Sequence, residues 1–216
     1  MAQIFGPSAN ALSRLSIAAG IIILTVVVAG GVGLYLSDYV TGVNIAQEQP
    51  VPFSHRHHVA GVGIDCRYCH TTVETTAFAG IPATDVCMTC HAQIWSDSPT
   101  LEPVRASYRT NQSLRWNRVH RVPDYVYFDH SIHIHKGIGC STCHGHVDQM
   151  PLVARKETLR MGWCLDCHRA PERFVRPRDQ VFNMDWAPPE DQLAMGERLV
   201  KEYQIQKLTD CYTCHR

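Results

Sequence analysis

From position 15 to 37 the chain reads LSIAAGIIILTVVVAGGVGLYLS, 23 residues without a charge, bounded by Arg14 and Asp38. As a helix at ~1.5 Å per residue, this run extends about 35 Å, enough to cross the hydrocarbon core of a bilayer. The apolar part of a cleaved leader usually has only ~7–15 residues. The longer run, in a chain that begins at Met1, predicts an uncleaved signal anchor over 14–37. A helix buried in a soluble core suits so long an uncharged stretch poorly. Arg14 before the span and Asp38 after it favour a cytoplasmic N-terminus. The expected layout is a cytoplasmic stub over 1–13, the anchor, a linker over 38–52 and a large domain over 53–216 on the far side. The cluster Ala29-Gly30-Gly31-Val32-Gly33 offers a flat patch where another membrane helix can approach. The ordinary tolerance of membrane helices for glycine explains it equally well.

Past the anchor, the only comparable helical pattern is PPEDQLAMGERLVKEYQIQ at 188–206. Prolines and acids fill its first turn, and Leu193, Leu199, Val200 and Tyr203 make a partial apolar face. Residues 169–186, with Pro171 and Pro177, read as irregular coil. Residues 92–127 hold Arg105, Arg109, Arg115, Arg118 and Arg121 and no cysteine. Little regular strand is predicted anywhere, which leaves an ordinary apolar core hard to build.

The cysteines change the picture. There are ten, and all lie in Cys-x-x-Cys-His pentads: Cys66, Cys69 and His70; Cys87, Cys90 and His91; Cys140, Cys143 and His144; Cys164, Cys167 and His168; Cys211, Cys214 and His215. This is the attachment signature of c-type haem. On a helical turn the three residues share one face, so both thiols can form thioethers to one porphyrin while the histidine takes the proximal iron position. Zinc ribbons also use Cys-x-x-Cys pairs, but five pentads with no cysteine to spare leave that reading little room. Five covalently bound haem c groups are expected, in a multihaem cytochrome c of mostly irregular chain and short helices, plus the N-terminal transmembrane helix. Attachment of haem c takes place outside the bacterial cytoplasmic membrane, which puts the haem domain in the periplasm.

The pentads are organised by a repeat. FSHRHHVAGVGIDCRYCH at 53–70 and FDHSIHIHKGIGCSTCH at 128–144 share Phe-x-His-x-x-His ahead of a pentad, and a second pentad follows each. Two-haem modules over about 53–91 and 128–168 are expected, with a solitary fifth site at 211–215. Of thirteen histidines, the pentads use five. His55, His58, His130 and His133, paired at i and i+3, are the candidate distal ligands; each pair lies close together but is angled apart, so that it can serve two haems. A distal ligand seals the iron against substrate and leaves it fit for electron transfer. His120 is the candidate for the remaining site, and Met150, Met161 and Met184 are alternatives that would raise the potential. His57, His135 and His146 are expected to support ligands or face propionates.

Net charge is zero, so nothing suggests nucleic-acid binding. Arginine outnumbers lysine 16 to 4. Its planar fork suits haem propionates, although genomic base composition produces the same bias.

VYFDHSIHIHKGIGCSTCHGHVDQMPLV followed by MGWCLDCHRAPERFVRP resembles the pentahaem cytochrome c subunit of alternative complex III, a bacterial quinol-oxidising membrane complex. The resemblance extends over the anchor, five pentads and both Phe-x-His-x-x-His repeats. It implies an iron–sulfur subunit, integral membrane quinol-binding subunits and a monohaem cytochrome c as partners, and a periplasmic electron acceptor. It also implies that this chain carries electrons without itself being a catalytic subunit. The family pattern often has another residue at the position of His135. Two other classes stand beside this one: a multihaem reductase with one open haem, and a direct quinol dehydrogenase of the small tetrahaem type. A haem-based sensor is a further class, but no signalling domain is visible.

Overall fold

The computed structural model describes residues 6 and 8–215. It has two units, one ending at Gly42 and the other beginning at Val43. The first is dominated by the helix Ala9–Leu36, in which no residue is buried and all but Ala9 are exposed. It is the one described helix long and apolar enough to cross a membrane, a property that a signal sequence near an N-terminus shares. It starts five residues before the predicted anchor, because backbone hydrogen bonding carries a helix through a polar flank as readily as through an apolar span. It stops where Ser37 turns extended, at ψ 155°.

The second unit consists of short helices joined by irregular chain. Among the described residues there is no strand, only two isolated bridges, Val43 with Arg155 and Ala46 with Ala154. Buried hydrophobic residues form three small clusters. Val51, Leu101 and Val104 make one, joined by Cys87 and Met88. Val73, Ile134 and Val181 make the second, and Val175, Leu199 and Tyr203 the third. A domain of this size ordinarily buries about two-thirds of its chain's surface, and clusters of three residues fall far short of the core that requires. All ten thiols are only half-buried or exposed, and none is in a disulfide.

The helix predicted over 188–206 is shorter, Gln192–Glu202. Pro188 and Pro189 stay outside it, and the chain leaves it at Gln204 in a left-handed conformation, φ 52°. Its apolar face is narrower than the pattern suggested. Leu199 and Tyr203 are buried, whereas Leu193 is 58% exposed. At Gly196 an added Cβ would collide with the backbone of Glu172, so only glycine allows this helix to pack on the turn Pro171–Arg173. That turn and Arg178–Gln180 are 3-10 helices inside the stretch expected to be coil.

Candidate haem-ligand sites

Each pentad forms a helical turn: Cys66–Cys69, the end of Thr84–His91, Cys140–His144, Met161–Arg169 and Cys211–Cys214. Aspartates cap two of them. Asp65 accepts from the Arg67 N–H and Asp210 from the Thr213 N–H, a use of the short carboxylate that ties down otherwise orphaned donors. Asp129 does the same for the helix His130–His135, accepting from the Ser131 and Ile132 N–H groups.

The histidines of the two repeats face the pentad histidines in four pairs. Ring centroids of His55 and His70 are 6.5 Å apart, of His58 and His91 6.1 Å, of His130 and His144 6.4 Å, and of His133 and His168 6.2 Å. A metal–nitrogen bond of about 2 Å on each side, plus the ~1 Å from nitrogen to ring centre, puts two axial imidazoles roughly 6 Å apart. All four pairs have the separation that an iron between them requires, so the residues present fit haem. Within each module the first histidine faces the nearer pentad and the second faces the farther one. A phenylalanine holds both. Phe53 stacks on His58 at 4.4 Å and meets His55 edge-on at 4.9 Å; Phe128 lies tilted against His133 at 4.5 Å and meets His130 edge-on at 4.8 Å.

Hydrogen bonds set the tautomers. A carbonyl oxygen only accepts, so an Nδ1 beside one must carry the proton, which leaves Nε2 bare for a metal. Nδ1 lies 2.7 Å from the Gly80 carbonyl in His70, 2.9 Å from that of Ile94 in His91, 2.9 Å from that of Leu208 in His168 and 3.2 Å from that of Tyr125 in His215. On the distal side His58, His130 and His133 donate likewise to the carbonyls of Ser54, Ala77 and Asp129. The buried Nδ1 of His55 has no partner. Burial, followed by the neighbouring His70 and His58, holds His55 down at about 4. Burial does the same more strongly for His144, at about 3. Both rings therefore stay neutral, the form that ligates a metal.

The pentads also touch one another in a definite succession. Tyr68 and Thr89 share a hydrogen bond of 3.0 Å between the first and second pentads. The backbone of Arg56, in the first distal segment, donates to Met150, just past the third pentad, at 3.1 Å. The Leu208 carbonyl that fixes His168 lies three residues before the fifth pentad. Electrostatics follow the same neighbours. After burial, the Cys140 thiol is raised most by Cys66, that of Cys143 by Cys167, that of Cys69 by Cys87 and that of Cys164 by Cys214.

The remaining candidates separate. No histidine ring stands at the paired spacing from His215 among the described residues; its recorded ring neighbour is Tyr125, at 5.6 Å and tilted 36°. His120 lies against His144, its Nε2 3.3 Å from the His144 Nδ1. Met161 is exposed, one turn ahead of Cys164, whereas Met184 is buried and Met150 half-buried. His135 turns its Nε2 to the Glu74 carbonyl at 3.0 Å. His146 is exposed beside Asp148 at 3.7 Å, and His57 packs 5.9 Å from Trp95.

Sequence reasoning did not single out Arg176. It is buried, donates to the Ser141 and Thr142 hydroxyls at 3.1 and 3.2 Å, and lies over the Trp186 ring at 4.2 Å. It clamps the third pentad turn from 35 residues away, and the only signal for it was the general excess of arginine.

Residues 126–216 match the family described as cytochrome c7 and related cytochrome c, and residues 37–117 match the class III cytochrome c family. The chain is 29% identical over 143 residues to the menaquinone reductase multiheme cytochrome c subunit of Nitratidesulfovibrio vulgaris, covering 56% of this chain and 68% of that relative. Both modules are thus similar to multihaem cytochromes c, electron-transfer proteins that bind haem c covalently.

Proposed function

We propose that this chain is a membrane-anchored pentahaem cytochrome that relays electrons between a quinol-oxidising membrane complex of the alternative complex III type and a periplasmic acceptor. The observation that carries this reading is the set of four facing histidine pairs at 6.1–6.5 Å. Haem c supplies one-electron redox chemistry when bound. The protein's part would be to hold each group between two facing histidines, exclude substrate and keep successive sites close together. The ten pentad cysteines would anchor the porphyrins, and the pentad histidines together with His55, His58, His130 and His133 would hold the irons.

The contacts between pentads support one linear order: second, first, third, fourth, fifth. Each Phe-x-His-x-x-His segment bridges the two sites of its module, and the modules meet through their first sites. The second and fifth sites are then the two ports. At the fifth, we assign the sixth position to Met161. It shares a helix face with Cys164, and the same helix reaches the approach to the fifth pentad, where the His168 Nδ1 lies 2.9 Å from the Leu208 carbonyl. The helix Ala9–Leu36 is the anchor, with the haem domain in the periplasm. The partners in this reading are an iron–sulfur subunit, integral membrane quinol-binding subunits and a monohaem cytochrome c.

Similarity to a menaquinone reductase subunit favours a second reading in which the same relay delivers electrons towards the quinone. Purification from native membranes under mild detergent tests both. The first reading expects co-purification with quinone-binding membrane subunits, haem reduction by a quinol analogue in the complex, and no reduction by that analogue in the isolated chain. Haems reduced only from the periplasmic side, with the electrons appearing on added quinone, establish the reverse direction. An isolated chain that oxidises the analogue unaided is a quinol dehydrogenase, and the relay proposal fails.

A further inference from the structure

Four of the five pentad histidines donate Nδ1–H to a backbone carbonyl. His144 does not. Its Nδ1 meets the Nε2 of His120 at 3.3 Å, with ring centroids 4.3 Å apart and planes at 74°. We propose that His120 is a positioning residue that sets the potential of the third haem site by accepting the proximal ligand's Nδ1–H. This rests on the pentahaem reading above.

If the Nε2 of His144 faces iron, its Nδ1 carries a proton, and the bare Nε2 of His120 is its acceptor. An imidazole nitrogen is more basic than a peptide carbonyl oxygen. It draws the shared proton further and leaves more electron density on the ligand ring. A more electron-rich proximal ligand favours ferric iron and lowers the potential of that one site. The acceptor is held in place from its backbone: Arg155 donates to the Val119 carbonyl at 3.1 Å and Arg118 to the His120 carbonyl at 3.2 Å. These are long side chains fixing a main-chain segment, with the ring between them aimed at His144. The third site is also the middle of the proposed order, so its potential governs passage in either direction.

The same contact engages the Nε2 of His120, the nitrogen that the paired histidines leave bare, which separates this role from that of a sixth ligand at the fifth site. The test is a redox titration of the whole chain with all its haems, combined with EPR, for His120→Phe and His120→Gln. His120→Phe fills the space but accepts nothing; one haem is expected to shift to higher potential, four to stay, and all to remain low-spin. His120→Gln offers a carbonyl-type acceptor and is expected to shift the same haem less. Unchanged potentials in His120→Phe overturn the inference. So does a new high-spin, carbon-monoxide-binding haem, which would make His120 an iron ligand. A haem count below five in the unmutated protein removes the underlying reading, a failure visible before any variant is made.

Discussion

In a His133→Ala variant, one haem of the five is expected to become high-spin and to bind carbon monoxide once reduced, raising the stoichiometry by one per chain. The His133 ring faces His168 at 6.2 Å and lies tilted against Phe128, and its Nδ1 donates to the Asp129 carbonyl. Its Nε2 is left with no other role. Alanine removes the ligand and the packing together. His133 is half-buried, so losing its ring costs less than the ~3–5 kcal/mol of a fully buried aromatic, and the variant is also expected to melt somewhat earlier. The fourth site lies inside the proposed order, so electrons entering at the second site should stall before the fifth. His58→Ala has the mirrored effect at the second site, a port, where only entry or exit is lost. Visible and EPR spectra with carbon monoxide titration check both. Five low-spin haems in His133→Ala would contradict the assignment.

The second large effect needs no mutation. The facing rings fall into two classes: His55–His70 and His130–His144 are nearly parallel, at 4° and 11°, while His58–His91 and His133–His168 are crossed at 67° and 66°. Each imidazole π orbital interacts with one of the two iron dπ orbitals perpendicular to the porphyrin. Parallel rings act on the same orbital and split the pair; crossed rings act on both and leave them nearly degenerate. Low-temperature EPR of the oxidised protein is therefore expected to show two haems with ordinary rhombic signals and two with a single, very anisotropic low-field feature. The crossed class belongs to the second site of each module. Four identical rhombic signals would rule out the crossed pairs.

What was readable in advance follows from how locally each feature is encoded. A pentad is five consecutive residues on one helical turn, and the repeated Phe-x-His-x-x-His is equally local, so both stand out in the chain. The pairing of His58 with His91 across 33 residues, and of His133 with His168 across 35, depends on where the intervening chain returns, and spacing does not dictate that. The same holds for Arg176, which reaches Ser141 and Thr142 from a distant turn. His120 sits in a segment of arginines with no periodicity, and its contact with His144 is purely tertiary. The helix over 188–206 was overextended because its prolines read as a first turn, whereas Pro188 and Pro189 lie outside Gln192–Glu202. The near absence of strand was legible because alternating apolar patterns are missing.

Intact-mass analysis of the denatured protein, paired with a peroxidase stain on a denaturing gel, tests the central claim most directly. The account predicts a chain heavier than the polypeptide by five haem groups, with staining that survives denaturation because thioether bonds hold the porphyrins. A bare polypeptide mass with no stain would contradict it, and fewer than five additions would disprove the pentahaem assignment.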